Sequence, residues 1–396
     1  MNASVPATSR APQASASGQI RVMVVDDAVV VRSLVSRWIE ETPNLQLVAA
    51  LRNGREALEQ FDRTRPDVVV LDIEMPELDG ISTLPKLLER RRDLVVIMAS
   101  ALTRDHAEVT LKALALGAAD YIPKPTTEGG VMTSAAFQRD LIAKIQALGH
   151  RPRTRPLPPR YARRSEYATT RKLGSAIQRT VKWQTADESD GPGLKLRPYS
   201  LVPPRVLLIG ASTGGPQALT KLVSHLDAVI ENSPVLVTQH MPPTFTTILA
   251  EHLTRAGAKP VREAVDGEPV LAGTIYLAPG GKHMKVARRD GTAVIVLDDG
   301  PPVHFCKPAV DPLFATAAEV WGSWNLALIL TGMGSDGTVG AAAIAAAGGS
   351  VIAQDEASSV VWGMPGSAAQ SGACSAVLPL DQIAPKVTRM FLGAKP

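Results

Sequence analysis

Short apolar runs alternate with amphipathic helical stretches in two parts of the chain, and this alternation restricts the possible folds most. The runs are RVMVV, DVVVL, VVIMAS and ADYIPK within residues 20–149, then VLLIG, VLVTQH, TIYLAP, LALILTG and SVIAQD from residue 205 onward. Strands that alternate with helices predict a parallel sheet covered by helices on both faces. We therefore expect two doubly wound α/β domains.

Turn and linker signals divide the chain further. Asp290 and Gly291 separate two strand-like runs in KVARRDGTAVIVLD, which predicts a β-hairpin added to the second sheet. Residues 150–203 sustain neither strand nor helix periodicity, so we expect a long linker there. Residues 1–19 are rich in Ala, Ser and Pro and predict a disordered leader. The predicted domains are therefore 20–149 and 204–393.

Composition excludes some functional classes. Apolar stretches are too short to span a bilayer and no secretion signal is present, so we expect a cytoplasmic protein without membrane insertion. The two cysteines, Cys306 and Cys374, form no CxxC pair and are interpreted as ordinary small apolar residues. Between Arg151 and Lys182 lie ten basic residues and one acid. We interpret this stretch as a solvated linker; a grip on nucleic acid or on an acidic protein surface is the alternative.

Acidic residues follow two strands of the first domain. Asp26 and Asp27 end RVMVV, and Asp72 ends DVVVL. Because ligands of open parallel sheets bind at the carboxyl ends of strands, these carboxylates should converge, and an oxygen-only site of this kind suits Mg²⁺. Two further strand ends carry Ser100, which offers a hydroxyl, and Lys124, which offers a positive charge, so both are expected to contact a phosphoryl group on Asp72.

In these residues, and in MPELDG after Asp72, the segment 20–149 resembles the receiver domain of two-component response regulators. The resemblance implies a flavodoxin-like sheet and phosphorylation of Asp72 by a histidine kinase. It also implies that the backbone carbonyl of Glu74 completes the Mg²⁺ site and that Ser100 and Tyr121 respond to the phosphoryl group. The peptide bond between Lys124 and Pro125 matches one that is often cis in that family.

In the second domain, Ser212 lies in GASTG directly after an apolar strand. The glycines do not follow the GxGxxG spacing and no GK[ST] follows, so a dinucleotide or phosphate cradle is a weak interpretation. G-x-S-x-G is instead typical of a sharp strand-to-helix turn that exposes a nucleophilic serine. A tight turn without chemistry stays open from this pattern alone.

A nucleophilic serine needs a base and an orienting acid. His240 ends VLVTQH, and Asp336 lies in MGSDG after LALILTG, so sequential strand ends bring both toward Ser212. The order Ser, His, Asp differs from that of α/β-hydrolases. Among the other histidines His283 is the second candidate for the base.

The motifs GASTGG, QHMP, APGG and LTGMGSDG occur in the order found in chemotaxis protein-glutamate methylesterases, which residues 205–390 resemble. The resemblance implies a Rossmann-like domain in which Ser212, His240 and Asp336 are catalytic and the Met333 N–H holds the oxyanion, with Thr213 nearby. It implies hydrolysis of glutamate methyl esters, and deamidation of glutamines, on chemoreceptors. A DNA-binding response regulator and a nucleotide-binding Rossmann protein are the rival classes, and we expect no nucleic-acid partner because residues 205–396 carry no helix-turn-helix pattern.

Overall fold

The computed structural model of the protein describes residues 18–124, 134–149, 194–257 and 259–393. Most of the predicted leader and linker, including the basic stretch, lies outside the described residues, as does Pro125. The domain limits given above therefore stay predictions. In the described part of the chain no helix has the length and apolar character needed to cross a membrane.

Five parallel strands form the first sheet. They are β1 (Ile20–Val25), β2 (Leu45–Leu51), β3 (Val68–Asp72), β4 (Val95–Ser100) and β5 (Asp120–Pro123), in the order β2-β1-β3-β4-β5. The helices between and after them are α1 (Val29–Glu41), α2 (Gly54–Thr64), α3 (Gly80–Arg90), α4 (Arg104–Leu116) and α5 (Ser134–Gly149). The order reverses direction between β1 and β3, and the crevice at such a reversal is where open sheets bind ligands.

Seven parallel strands form the second sheet. They are β6 (Val206–Ala211), β7 (Val235–Gln239), β8 (Val261–Glu263), β9 (Ile275–Leu277), β12 (Asn325–Ile329), β13 (Ser350–Gln354) and β14 (Ala376–Leu378), in the order β14-β13-β12-β6-β7-β9-β8. The helices are α6 (Gly215–Val223), α7 (Asp227–Asn232), α8 (Phe245–Ala256), α9 (Val310–Trp321), α10 (Thr338–Ala346), α11 (Met364–Gln370) and α12 (Leu380–Phe391), with a 3₁₀ turn at Gly322–Trp324. β6 lies between β7 and β12, again at the point where the strand order reverses.

The predicted hairpin is confirmed as a separate antiparallel ribbon of β10 (His283–Arg289) and β11 (Thr292–Asp298). Its two turn residues, Asp290 and Gly291, have φ values of 48° and 81°, the left-handed conformation that a type I′ turn requires. The prediction of two doubly wound α/β domains with an added ribbon is therefore confirmed.

Buried strands explain the apolar runs of the sequence. Every residue of β3, β6, β7, β12 and β13 is buried, because helices cover both faces of each parallel sheet. The two domains also share apolar packing: the Tyr121 ring stacks on the Phe245 ring with centroids 4.9 Å apart. Arg197, from the segment predicted as linker, donates its backbone N–H to the Cys374 carbonyl, so the end of that segment packs on the second domain.

Candidate functional site

Ser212 occupies a sharp turn between β6 and α6. Its N–H donates to the Thr331 carbonyl at 3.0 Å, and its carbonyl accepts from the Gly215 N–H at 2.7 Å. Gly214 has φ of 75°, which an L side chain adopts only with strain. The glycines of GASTG therefore serve the turn and its close packing, while the serine side chain stays partly exposed.

His240 lies beside Ser212 because their strands are neighbours. Ala211 and Gln239 pair in the register of β6 and β7, so the next residue of each chain segment is Ser212 and His240 respectively. The His240 N–H donates to the Ala211 carbonyl at 3.1 Å. Adjacent strands are about 4.8 Å apart, so the two side chains start from neighbouring positions at one edge of the sheet.

Asp336 accepts a hydrogen bond from the His240 ring: Nε2 and Oδ2 are 2.7 Å apart. An ionised carboxylate can only accept a hydrogen bond, so Nε2 carries a proton. In the neutral imidazole Nδ1 is then the nitrogen that can accept a proton. Three backbone N–H groups also point at this carboxylate, those of Val310 at 2.6 Å, Asp311 at 3.0 Å and Gly337 at 2.9 Å. The first two are at the N-terminus of α9, where the helix dipole favours a negative charge.

This surrounding keeps Asp336 ionised despite its burial. Burial by itself would raise the pKa, but the hydrogen bond and charge of His240 and the N–H groups of Val310 and Asp311 lower it below the usual value. Asp336 as a residue is 1% exposed. Asp336 is therefore a permanent, fixed anion behind the imidazole.

The Ser212 hydroxyl and the His240 ring are not hydrogen-bonded to each other within the described part of the chain. The Cys306 side chain lies close enough to the ring to influence its pKa. Catalytic hydrogen bonds of this kind are often absent until substrate binds. The three predicted residues thus lie at one edge of the sheet. Of the expected series of hydrogen bonds from serine to histidine to aspartate, the bond between the imidazole and the carboxylate is formed.

Cys306, interpreted above as an ordinary small apolar residue, is free and only half-buried. Cys306 ends a tight turn in which it exchanges two backbone hydrogen bonds with Val303. Burial would lower the pKa of His240, but Cys306 and Asp336 beside the ring raise it to about 10. Cys374, by contrast, is buried among apolar residues, and burial raises its pKa to about 12, which leaves an inert thiol.

The two residues expected at the oxyanion lie beside Ser212. Gly332, just before Met333, is so close that an added Cβ would be 2.8 Å from the Ser212 Cβ. The backbone N–H groups of Met333 and Thr213 find no acceptor among the described residues. The Thr213 hydroxyl, however, points away and donates to Asp120 of the first domain at 3.0 Å.

His283, the second candidate for the base, is used elsewhere. Its Nδ1 accepts from the Ala309 N–H at 3.1 Å, and its Nε2 is 3.0 Å from the Pro301 carbonyl. Both ring nitrogens of His283 therefore bind the backbone of the segment that follows the hairpin. A buried histidine with two backbone partners is a structural one.

In the first domain the three predicted carboxylates converge. Oxygens of Asp26, Asp27 and Asp72 lie within 4.8 Å of one another. Lys124 bridges two of them, with its Nζ 2.8 Å from Asp26 Oδ2 and 2.6 Å from Asp72 Oδ2. Burial raises the pKa of Asp72 to about 6, and the negative charge of Asp26 adds to this while Lys124 opposes it. Hard oxygen ligands with excess negative charge fit Mg²⁺.

The other predicted residues of this site have partners of their own. The Ser100 hydroxyl is buried and accepts from the Thr110 hydroxyl at 2.8 Å. The Glu74 side chain extends to His106, with 3.0 Å between Oε1 and Nε2. Tyr121 is buried against Phe245 of the second domain.

Several contacts between the domains lie next to these sites, and no sequence motif predicts them. Asp120 Oδ2 accepts from both the Thr213 hydroxyl and the Lys144 ammonium and is buried. The Arg139 guanidinium lies 4.4 Å from the centre of the Phe305 ring, in the turn that carries Cys306. No local signal marks such pairs, because each joins segments that are distant in sequence.

Comparison with known proteins gives matches over both domains. Residues 207–387 match the model of the CheB methylesterase family, and residues 22–136 match that of the response regulator receiver domain. A protein-glutamate methylesterase/protein-glutamine glutaminase of Rhodopseudomonas palustris (strain BisB5) is 58% identical over 374 residues, 94% of each chain. One of Paramagnetospirillum magneticum is 48% identical over 380 residues, 95% of this chain and 97% of the relative.

A solved structure also matches the second domain. The crystal structure of the Thermotoga maritima CheB methylesterase catalytic domain is 40% identical, with a TM-score of 0.46. The match covers 48% of this chain and all of that one, 100%.

Proposed function

The chain belongs to the protein-glutamate methylesterase/protein-glutamine glutaminase family, and from this premise we propose a serine-hydrolase mechanism under the control of the receiver domain. The substrates are γ-glutamyl methyl esters, and glutamines, on the cytoplasmic helices of chemoreceptors. The observation that carries the proposal is the 2.7 Å bond between His240 and Asp336 at the strand end next to Ser212.

In the first step the Ser212 oxygen attacks the ester carbonyl carbon, and its proton passes to the His240 ring. The carbonyl π bond breaks, and the resulting oxyanion accepts from backbone N–H groups, for which Met333 and Thr213 have unoccupied donors next to Ser212. Asp336 stabilises the imidazolium and holds Nε2 protonated.

In the second step the imidazolium protonates the methoxy oxygen, the C–O bond breaks and methanol leaves an acyl-enzyme on Ser212. Water attacks this ester, gives one proton to His240 and forms glutamate, and Ser212 regains its proton. With a glutamine side chain the leaving group is ammonia. An imidazole whose pKa is near 10 is protonated at neutral pH, so the resting site must lose a proton before the first step.

The direct test is the release of methanol from methylated receptor. Ser212→Ala removes the hydroxyl oxygen that forms the acyl-enzyme, so we expect no release above the uncatalysed rate. The matched control is Ser224→Ala, at the far end of the helix that follows Ser212, where the hydroxyl lies 2.9 Å from the Lys221 carbonyl and 3.0 Å from His225 Nδ1. Comparable release by Ser212→Ala and the unaltered protein would remove the nucleophile assignment.

We further propose that phosphorylation of Asp72 by a histidine kinase changes the packing of the receiver domain on the catalytic edge. Asp26, Asp27 and Asp72, with the Glu74 carbonyl, would hold a Mg²⁺ ion. When bound, that ion would neutralise charge on the incoming phosphoryl group. A phosphoryl group on Asp72 supplies oxygens that attract Lys124 and the Ser100 hydroxyl. Lys124 would then leave its present partners.

The fifth strand supports this coupling. Asp120 and Tyr121 begin β5, and Lys124 directly follows its end. A shift of Lys124 toward a phosphoryl group therefore acts on the same strand that bonds Thr213 and packs against Phe245. Since Thr213 is adjacent to the nucleophile, loosening this contact would open the edge of the sheet to a receptor helix.

Asp72→Asn tests the regulatory part. We expect the basal rate of methanol release to persist and stimulation by a small phosphodonor, such as acetyl phosphate with Mg²⁺, to disappear. The control is Asp62→Asn, an exposed acid on α2 that pairs with Arg90. Full stimulation of Asp72→Asn would contradict control through this residue while leaving the esterase assignment intact.

A further inference from the structure

Gln239, the last residue of β7, has a buried side chain that points at the catalytic turn. It is 1% exposed. Its Nε2 donates to the Ser212 carbonyl at 2.9 Å and to the His240 carbonyl at 3.3 Å. One amide group therefore joins the backbone of the nucleophile to the backbone of the base.

The orientation of this amide follows from its partners. Both neighbours of Nε2 are carbonyl oxygens, which accept and cannot donate, so a flipped amide would set oxygen against oxygen. In the present orientation Oε1 is buried and has no hydrogen-bond partner. A buried acceptor without a partner opposes folding, and here it offsets part of what the two bonds contribute.

Gly215 packs directly against this amide. A Cβ at Gly215 would lie 1.9 Å from Gln239 Oε1 and 2.9 Å from its Cδ. The Gly215 N–H also donates to the Ser212 carbonyl at 2.7 Å, so that oxygen has two donors, one from α6 and one from β7. The turn is thus tied to both elements that flank it.

We propose that Gln239 is a positioning residue for the reaction, which sets the distance between Ser212 and His240. The inference rests on the proposed role of Ser212 as nucleophile. No hydrogen bond within the described residues joins the serine hydroxyl to the imidazole, so their approach depends on how their backbones are held. A displacement of about 1 Å at such a site reduces rates about 100-fold.

The chain contains a matched control for a purely structural role. Asn325, the first residue of β12, is 1% exposed, and its Nδ2 donates to the carbonyls of Ala317 and Gly322, both at 2.9 Å. Its Oδ1 is likewise buried without a partner. Asn325 lies at the opposite end of the sheet, because it pairs with Val206 at the start of β6.

The experiment compares Gln239→Met with Asn325→Leu in the full chain. Methionine fills similar volume without donors, so we expect kcat for methanol release to fall about 10- to 100-fold with KM unchanged. Labelling of Ser212 by a fluorophosphonate probe should slow by a similar factor. Asn325→Leu should keep both rates, even where its melting temperature falls as much as that of Gln239→Met.

Gly215→Ala is the second variant, which pushes the amide aside without removing it. Gly215→Ala should slow the labelling of Ser212 in the same way. If Gln239→Met does not fold, the labelling rate of Gly215→Ala tests the positioning role of Gln239. Wild-type rates in the folded Gln239 variant, or equal losses in Asn325→Leu, would overturn the proposal. If the unaltered protein is labelled at Ser212 but releases no methanol, the proposed substrate is wrong, and the labelling rates still test Gln239.

Discussion

Asp72 and Asp336 occupy equivalent places in the two domains, yet their environments differ. Each is a buried aspartate at the carboxyl end of a parallel sheet, near the point where strand order reverses. Among the described residues, Asp72 has one backbone donor, the Ile73 N–H at 2.8 Å, and like charge lies nearby. Its pKa is raised to about 6, whereas the pKa of Asp336 is lowered.

The surroundings of the two aspartates suit the two chemistries proposed for them. Excess negative charge around Asp72 suits a site that takes up a cation and a phosphoryl group. The N–H groups of a helix N-terminus around Asp336 suit a carboxylate that must stay ionised and must not move. Neighbouring donors and charges, rather than burial alone, decide which of the two results.

The largest effect is expected from Asp336→Asn. It removes the charge that stabilises the imidazolium and permits the wrong tautomer of His240, so kcat should fall about 10⁴-fold. The measurement is the rate of methanol release at pH 7.5. As control, Asp266→Asn changes an exposed acid whose carboxylate accepts from the Leu297 N–H of the β-ribbon, and it should keep nearly the full rate. A small loss in Asp336→Asn would show that its fixed charge is not needed.

The same substitution should act on stability with opposite sign in the two domains. Because burial disfavours the ionised form of Asp72, ionised Asp72 lowers the free energy of unfolding above pH 6. This destabilisation disappears as the pH falls toward 3.8. In the presence of a chelator at pH 7.5, Asp72→Asn should therefore stabilise the receiver domain by about 1–3 kcal/mol. Asp336→Asn should destabilise the catalytic domain, since its ionised form is favoured there. Calorimetric melting of the full chain measures both changes in stability, and changes of the same sign in the two domains would contradict the difference between the two aspartates.

A smaller effect is expected from Cys306→Ala. Cys306 raises the pKa of His240, so its removal should lower that pKa and enlarge the neutral fraction that can act as base. The acid limb of the kcat/KM profile should move to lower pH, with activity at pH 7 rising about tenfold for each unit by which the pKa falls. Cys374→Ala is the control thiol. An unmoved limb would mean that Cys306 does not set the protonation of the base.

Much of the fold follows from the sequence because apolar periodicity and strand-end residues are local. The runs around β3, β6 and β12 are apolar throughout since both faces of those strands are buried. The short strands β8 and β14 were missed, because three residues carry too little periodicity. β2 was missed as well, because only one of its seven residues is fully buried and its apolar pattern is weak.

The site was predicted where its residues end strands and missed where contacts cross the chain. Ser212, His240 and Asp336 each follow a strand, so their convergence could be expected before their neighbours were known. Cys306 and Asp120 could not be assigned this way. Cys306 reaches His240 from a loop after the hairpin, and Asp120 reaches Thr213 from the other domain.

Two α/β domains, and the edge of each sheet where polar side chains collect, can be predicted from the sequence, because strand periodicity and connection rules act over short distances. The placing of β12 and β7 on either side of β6, and the bond from His240 to Asp336 across 96 residues of chain, depend on the three-dimensional fold. It also decided the opposite pKa shifts of Asp72 and Asp336. Those shifts depend on the positions of distant N–H groups and charges, which no local pattern of residues encodes.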